Sequence, residues 1–100
     1  MKYRFEWDED KNALNIMKHG VSFEDAIIIF NDPMRADLYD REHSLFEDRW
    51  KTIGLYGCDT ISVIYTMRNE IIRIISARKA DKKEEKEYFN GYGTGNIKRR

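Results

Sequence analysis

This sequence has little cysteine and proline, and its formal net charge is zero. Its 100 residues include one cysteine and one proline, and 18 Lys or Arg side chains balance 18 Asp or Glu side chains. A single cysteine, Cys58, excludes an internal disulfide, and no apolar run approaches the length of a signal peptide or a membrane span. These absences predict a reduced, cytoplasmic protein. Its length predicts one domain over residues 1–90, followed by a flexible tail over residues 91–100.

Patterns that bind metals and phosphate loops are missing as well. Two distant histidines and one cysteine match no metal-ligand spacing, although scattered carboxylates could still hold Mg²⁺; we predict no metal and no cofactor. The glycines in the last ten residues have no strand before them and no helix after them, which excludes a phosphate-binding loop. Cys58 lies in a predicted turn without a neighbouring histidine, and we interpret it as an incidental exposed thiol.

Charge is distributed unevenly along the chain. Residues 1–50 carry 7 Lys or Arg against 12 Asp or Glu, whereas residues 51–100 carry 11 against 6. This asymmetry is compatible with a basic face for phosphate and an acidic face for a basic partner. It is equally compatible with ordinary solvated faces.

Hydrophobic periodicity and capping residues predict an α+β fold in which helices pack against one antiparallel sheet. The predicted order is β-α-α-β-β-β-β-α. In the first helix, Ala13, Leu14 and Met17 are expected to form the buried stripe. The predicted elements are strands over 3–7, 34–39, 51–56, 60–67 and 69–76, and helices over 8–19, 22–30 and 82–89.

The second predicted helix has a clear core face and two further isoleucines away from it. Ile28 and Ile29 are either covered by the rest of the domain or left as an apolar patch for a partner chain. Downstream, Ser44 and Glu47 are expected to cap a helical turn.

The stretch NEIIRIISARK, residues 69–79, has the apolar pattern of a strand covered on both faces. Arg73 interrupts this run, so its guanidinium must be paired, reach the rim, or face a polar cleft. Arg73 and Arg78 are five positions apart and point to opposite faces of a regular strand. They can share a site only if the strand twists, bulges or ends near Ser76, and we expect it to end there. Alternatively, both arginines pair with Glu70 or Glu84 at the sheet rim.

Two short segments combine residue types that suit proton transfer. His43, Glu47 and Arg49 fall within one loop, although Glu47 is also expected simply as a cap. Lys18 and His19 precede Gly20, where cations favour a helix C-terminus for purely structural reasons.

Three strings of the sequence resemble the BrnT family of bacterial type II toxins, in matching order over roughly residues 4 to 89. They are FEWDEDKNALNIMKHGVSFEDA, HSLFEDRW and IRIISARKADKKEEKEYF. The resemblance implies a RelE-like fold, a ribonuclease activity that halts translation, and a cognate antitoxin, BrnA, that neutralises the toxin and represses the shared operon. It therefore implies RNA as substrate, contact with DNA only through the antitoxin, no membrane, and a dimer or a toxin–antitoxin hetero-oligomer.

The resemblance also implies a set of site residues. The catalytic candidates are His19, His43, Arg49, Arg73, Arg78, Glu84 and Tyr88, and Lys18 is a substrate-binding candidate. Lys79 is a further substrate-binding candidate on its charge beside Arg78, and not from the resemblance. In one respect the sequence departs from the family pattern, because Glu84 is followed by Glu85 where members often have arginine. An anion there either faces away from the phosphate or weakens RNA attraction.

Metal-free RNA cleavage suggests roles for these residues. The ribose 2′-hydroxyl attacks its own phosphate, so an enzyme must remove one proton, supply another and neutralise the charge that develops on phosphorus. We expect Arg49, Arg73 and Arg78 to clamp the phosphate, with Lys79 adding charge. Either Glu84 or a histidine would be the base, and Tyr88 or His43 the acid.

Two other functions remain open. The chain could bind RNA or protein without cleavage, or it could be a degenerate toxin that acts mainly through its antitoxin in operon repression. In that last case Ile28, Ile29 and the acidic first half would form the interface. For an active toxin we expect an antitoxin helix to cover the basic cleft.

Overall fold

The protein has an α+β fold built on one five-stranded sheet, as shown by a computed structural model that describes residues 3–92. Most of the predicted tail, residues 93–100, lies outside the described residues. The strands are β1 (Phe5–Glu6), β2 (Ala36–Tyr39), β3 (Trp50–Tyr56), β4 (Asp59–Arg68) and β5 (Ile71–Lys79). The helices are α1 (Glu9–His19), α2 (Phe23–Ala26) and α3 (Lys82–Glu87), with 3₁₀ helices over Ile27–Asn31 and Arg41–His43 and a π-helical turn over Tyr88–Tyr92.

The sheet is mixed, with strand order β1-β5-β4-β3-β2. Strands β2 to β5 form the predicted antiparallel series, but β1 pairs parallel to β5, with Phe5 opposite Ile72. The prediction of a wholly antiparallel sheet is therefore wrong at this edge. A strand of two residues carries too little side-chain pattern to reveal the direction of its neighbour.

Helices cover both faces of the sheet. The α1/α2 face carries the main core, in which Phe23, Ile29 and Phe30 pack against Val63 and Tyr65. On the opposite face, Tyr88 packs with Ala36 and Ile53. In the part of the chain that the structure describes, no helix is long and apolar enough to cross a membrane.

Helix α1 has the predicted ends but not the predicted buried stripe. Asp8 caps its first turn, and Gly20, with φ of 71°, ends it. The residues on its buried face are Asn12 and Asn15, while Leu14 and Met17 are 59% and 82% exposed. The prediction for Leu14 and Met17 is wrong, as is that for Ala13, which is also exposed.

Hydrogen bonds to the neighbouring backbone explain this reversal. Asn15 Nδ2 donates to the carbonyl oxygens of Ala77 (2.7 Å) and Val21 (2.8 Å), and its Oδ1 accepts from the Ala77 amide. Asn12 Oδ1 accepts from the Phe23 amide, and its Nδ2 donates to Glu24. These amides satisfy backbone groups that apolar side chains would leave unpaired.

Asn15→Ala is therefore expected to lower the free energy of unfolding by about 2 kcal/mol, because buried backbone groups of Ala77 and Val21 lose their partners. Met17→Ala, on the exposed side of the same helix, should change it by less than about 0.5 kcal/mol. Urea unfolding followed by circular dichroism measures both values. Similar losses in the two variants would contradict the observed orientation of α1.

The structure shows which of Ile28 and Ile29, the two isoleucines that follow α2, is buried. Ile29 is fully buried, whereas Ile28 is 45% exposed. A Cβ atom at Gly54 of β3 would lie only 2.9 Å from the Ile29 Cβ, so glycine is what allows the 3₁₀ helix to approach the sheet. Ile29 is therefore unavailable for an interface with a partner.

Strand β5 continues to Lys79 and contains a bulge, so the prediction that it ends near Ser76 is wrong. Ile64 of β4 pairs with Ser76, but Tyr65 pairs with Ile74, which leaves Ile75 as an extra residue. An extra residue reverses the alternation of side chains beyond it. Because of it, Arg73 and Arg78 lie on the same face of the sheet, opposite the α1/α2 face.

Candidate active site

A buried carboxylate, Glu84, organises the polar side chains on the α3 face of the sheet. Asp81 and Glu84 form the predicted capping box, and Glu84 is 2% exposed. Arg78 donates two hydrogen bonds to its carboxylate, at 2.8 and 2.9 Å. Lys51 Nζ (3.0 Å), Ser62 Oγ (3.2 Å) and the Asp81 amide (3.0 Å) donate as well.

These donors determine the protonation of Glu84. Burial by itself raises the pKa of Glu84, but hydrogen bonds from Arg78, the Asp81 backbone and Lys51 outweigh that effect and lower the pKa to about 2. A carboxylate with this pKa is a weak base at neutral pH. What Glu84 does instead is fix the guanidinium of Arg78 in a two-pronged arrangement.

Beside this ion-paired group lies a cavity of about 420 Å³, which we call the sheet cavity. It brings together cationic side chains from β3 and β5, a histidine from the β2–β3 loop and a carboxylate from α3. The lining residues are Leu38, Tyr39, Asp40, Glu42, His43, Lys51, Ile64, Arg78 and Glu87. Pockets that bind small ligands range over about 300–1,000 Å³, so one nucleotide segment is within its capacity.

His43 is held at the mouth of this cavity by Asp40. The His43 Nδ1 atom lies 2.9 Å from Asp40 Oδ2, and the imidazole is 63% exposed while the Asp40 side chain is 15% exposed. A carboxylate at Nδ1 orients the ring and leaves Nε2 as the nitrogen available to exchange a proton. The predicted helical turn capped by Ser44 and Glu47 is absent here; Ser44 Oγ instead donates to Asp40 O (2.6 Å) and accepts from Arg49 N.

Arg49 lies next to this region in a second concavity of about 480 Å³, the loop cavity. Its Nη2 atom is 3.7 Å from Glu47, and its buried Nε atom has no hydrogen-bond partner within residues 3–92. The lining residues are Glu42, His43, Leu45, Phe46, Glu47, Arg49 and Arg68. Since His43 and Glu42 line both cavities, the two cavities adjoin.

Arg73 shares a face with Arg78 but not a cavity. Its Nη1 atom pairs with Glu6 Oε2 of β1 at 3.3 Å, and not with Glu70 as the structural alternative proposed. Five residues of strand separate the two arginine Cα atoms by about 15 Å. The arginines thus do not converge in a single groove, and Arg49, Arg73 and Arg78 each have a carboxylate partner.

Tyr88 directly follows α3 and is not among the residues that line the sheet cavity. Its hydroxyl donates to Asp32 Oδ2 at 2.6 Å. Burial raises the pKa of Tyr88, and the Asp32 hydrogen bond raises it further. Both effects disfavour proton donation to a substrate, so the geometry favours a structural role in joining α3 to the end of the 3₁₀ helix.

His19 and Lys79 meet elsewhere, in a cavity of about 230 Å³ that Tyr56 and Asp25 also line. Lys79 Nζ is 3.6 Å from Asp59, and Lys18 is exposed in the last turn of α1. The chain therefore brings His19 and Lys79 together, and separately brings His43 and Arg78 together.

Comparison with known proteins adds the family. A family model described as the ribonuclease toxin BrnT of type II toxin–antitoxin systems matches residues 7–84. The chain belongs to the BrnT family. It is thus a ribonuclease toxin of a type II system and has an antitoxin partner. A search of curated proteins found no match.

Several residues that line the sheet cavity carried no signal that sequence reasoning used. Lys51 is the first residue of a predicted strand, and Asp40 and Glu87 are ordinary polar residues of a loop and a helix. A period-of-two pattern on β3 would have placed Lys51 on the same face as Ile53. The convergence of Lys51 with Arg78 depends on strand register. Lys51 is paired with Ile64 and Arg78 with Ser62, and these two residues of β4 are two positions apart and so share a face of the sheet.

Glu85, the residue that departs from the BrnT pattern, lies outside the sheet cavity. Glu85 Oε2 accepts a hydrogen bond from Thr60 Oγ1 at 3.2 Å, and Glu85 is not among the residues that line the sheet cavity. This anion therefore lies away from the sheet cavity.

Proposed function

We propose that this chain cleaves RNA without a metal ion, in the sheet cavity, and thereby inhibits translation. The observation that carries the proposal is the convergence of Arg78, Lys51 and His43 on one cavity of about 420 Å³. Two cationic side chains and an imidazole supply charge neutralisation and proton transfer, which are the requirements of phosphodiester cleavage. Among the described residues no three His, Cys, Asp or Glu side chains form a group that could hold a metal ion.

The proposed reaction is an internal transfer. The ribose 2′-oxygen loses its proton and forms a bond to phosphorus, and the bond from phosphorus to the 5′-oxygen breaks as that oxygen gains a proton. The products are a 2′,3′-cyclic phosphate and a 5′-hydroxyl. Arg78 and Lys51 stabilise the charge on the phosphate oxygens, and His43 exchanges a proton through Nε2.

Under this proposal the residues predicted from sequence have separate roles. Arg78 and His43 act on the substrate, Glu84 positions Arg78, and Arg49 extends the binding surface into the loop cavity. Site roles for Lys18, His19, Arg73 and Lys79 stay predictions that require RNA to reach beyond the sheet cavity. The RelE-like topology and the oligomeric state, a dimer or a toxin–antitoxin hetero-oligomer, also stay predictions.

Cleavage by purified protein in EDTA tests the proposal. Toxin freed from its antitoxin is incubated with RNA, and the ends of the products are identified. A cyclic phosphate and a 5′-hydroxyl, together with growth arrest and loss of amino-acid incorporation on induction, are the expected results. Cleavage that requires an added divalent cation would overturn the metal-independent mechanism.

A second function is supported by the carboxylate pairing of Arg49, Arg73 and Arg78. Paired cations attract RNA less than unpaired ones, which favours a weak nuclease that acts mainly through its antitoxin complex in operon repression. Pure protein that binds RNA or antitoxin but cleaves nothing, and whose induction leaves growth unchanged, would establish this alternative.

For the antitoxin, of the BrnA type, we propose that one of its helices covers the cavities at Leu45 and Phe46. These side chains are 83% and 99% exposed at the rim of the loop cavity, so a partner that buries them gains apolar contact while it blocks His43. DNA would then be contacted only through the antitoxin.

Phe46→Glu is expected to weaken antitoxin binding at least tenfold, because it places a charge in an apolar contact. The affinity is measured on the purified proteins, and in cells that express the variant the antitoxin should no longer restore growth. Met17→Glu, on the exposed face of α1, serves as the matched control and should keep rescue and affinity. If Met17→Glu loses rescue while Phe46→Glu keeps it, the antitoxin binds α1 instead.

A further inference from the structure

Glu87 is a second glutamate on α3, one turn after Glu84 and on the same side of the helix. It lines the sheet cavity, yet its buried Oε1 atom accepts no hydrogen bond within residues 3–92. A buried acceptor without a donor costs about 1–3 kcal/mol, so such atoms are rare in folded proteins unless a function retains them.

The two glutamates differ in what surrounds their oxygens. Glu84 accepts hydrogen bonds from Arg78, Lys51, Ser62 and the Asp81 amide, which leaves its carboxylate fully occupied. Glu87 has an acceptor oxygen with no donor in the described part of the chain. Because this oxygen is shielded from solvent, the Glu87 side chain, which already lines the sheet cavity, must turn to offer it to a substrate hydroxyl there.

From this contrast we infer that Glu87 is the general base of RNA cleavage, an inference that rests on the proposed function. Glu87 takes the proton of the 2′-hydroxyl as the 2′-oxygen bonds to phosphorus. His43, oriented by Asp40, gives a proton from Nε2 to the departing 5′-oxygen, so one proton enters the protein and one leaves it. Arg78 and Lys51 hold the phosphate between the two groups.

Base and acid are carried by different elements of the fold. Glu87 comes from α3 and His43 from the β2–β3 loop, and both line the sheet cavity. The titratable and charged groups that share the cavity with Glu87 are Tyr39, Asp40, Glu42, His43, Lys51 and Arg78.

Glu87→Gln tests the inference, since the amide keeps the shape of the side chain but cannot accept the proton. Single-turnover cleavage in EDTA is expected to fall about 100-fold. In the wild type the rate should rise with pH on the acid side, because the base must be ionised, and the variant should lose that rise. Binding of an RNA analogue with a 2′-deoxy ribose at the cleavage site should change less than threefold.

Glu85→Gln is the matched control, because Glu85 lies on the same helix but bonds to Thr60; its rate and pH profile should match the wild type. Glu87→Asp should restore part of the lost rate. Circular dichroism of each variant confirms folding. A Glu87→Gln protein with the wild-type rate and pH profile would overturn the role of Glu87 and leave the nuclease proposal intact, whereas a wild-type protein that cleaves no RNA overturns both.

Discussion

Replacing Glu84 by glutamine is expected to lower the free energy of unfolding by about 3 kcal/mol at pH 7. The side chain is 2% exposed and accepts hydrogen bonds from Arg78, Lys51, Ser62 and the Asp81 amide. Its pKa falls from 4.5 to about 2 on folding, and that difference sets the size of the loss. The remaining cations limit the damage, because the Arg78 and Lys51 side chains are 42% and 26% exposed and can regain water.

The lowered pKa of Glu84 also predicts how this loss of unfolding free energy depends on pH. A carboxyl group whose pKa is lower in the folded state contributes its full stabilisation above the unfolded value of 4.5 and loses it as pH falls toward 2. The difference in unfolding free energy between wild type and Glu84→Gln should therefore be constant above about pH 5 and should approach zero at about pH 2. Urea titrations at intervals from pH 7 to pH 2 measure it.

Glu85→Gln provides the comparison, since the Glu85 side chain is exposed and, within residues 3–92, accepts a single hydrogen bond, from Thr60 Oγ1. It should change the unfolding free energy by less than about 0.5 kcal/mol at any pH. A Glu84→Gln difference that persists unchanged down to pH 2 would show that the loss comes from packing and not from the ionised carboxylate.

Arg78→Ala is expected to slow RNA cleavage about 30- to 1,000-fold, the loss of about 2 to 4 kcal/mol typical of a donor aimed at developing charge. Glu84 fixes its guanidinium in the sheet cavity through two hydrogen bonds, so the group needs no rearrangement when charge appears on phosphate. Single-turnover cleavage rates and growth arrest on induction measure the effect.

Arg78→Lys separates charge from geometry. A lysine keeps the positive charge but lacks the planar fork that binds Glu84 at two oxygens, so it should recover only part of the lost rate. Lys83→Ala removes an exposed cation from the adjacent turn of α3 and should leave the rate unchanged. Rates must be compared between folded samples, because Arg78→Ala also removes a partner of the buried Glu84. Unchanged cleavage by folded Arg78→Ala would remove Arg78 from the site.

Local sequence signals located most of the elements correctly. Asp8, Ser22 and Asp81 each cap the helix start that the sequence predicts, and the antiparallel strands β3, β4 and β5 follow in the predicted order. These features depend on hydrogen bonds and side-chain alternation within a few residues. The strings that resemble the BrnT family were equally local, and the family match confirms that assignment.

Features that depend on distant partners were predicted less well. The α1 stripe was wrong because Asn15 bonds to Ala77, which lies 62 residues away in the chain. The bulge at Ile75 changes the face of Arg78, and it is visible only in the pairing of β4 with β5. Glu87 carries no sequence signal, because its significance lies in the hydrogen bond that it does not make in the described residues.

The sequence by itself determined the order of elements, their caps and the family, since neighbouring residues control all of these. Only the tertiary structure decided which cations meet. Strand register and one extra residue in β5 place Arg78 beside Lys51 and His43, and they leave Arg73 paired with Glu6 at the edge of the sheet. A one-residue shift in pairing moves a side chain to the opposite face, and local sequence does not encode that shift.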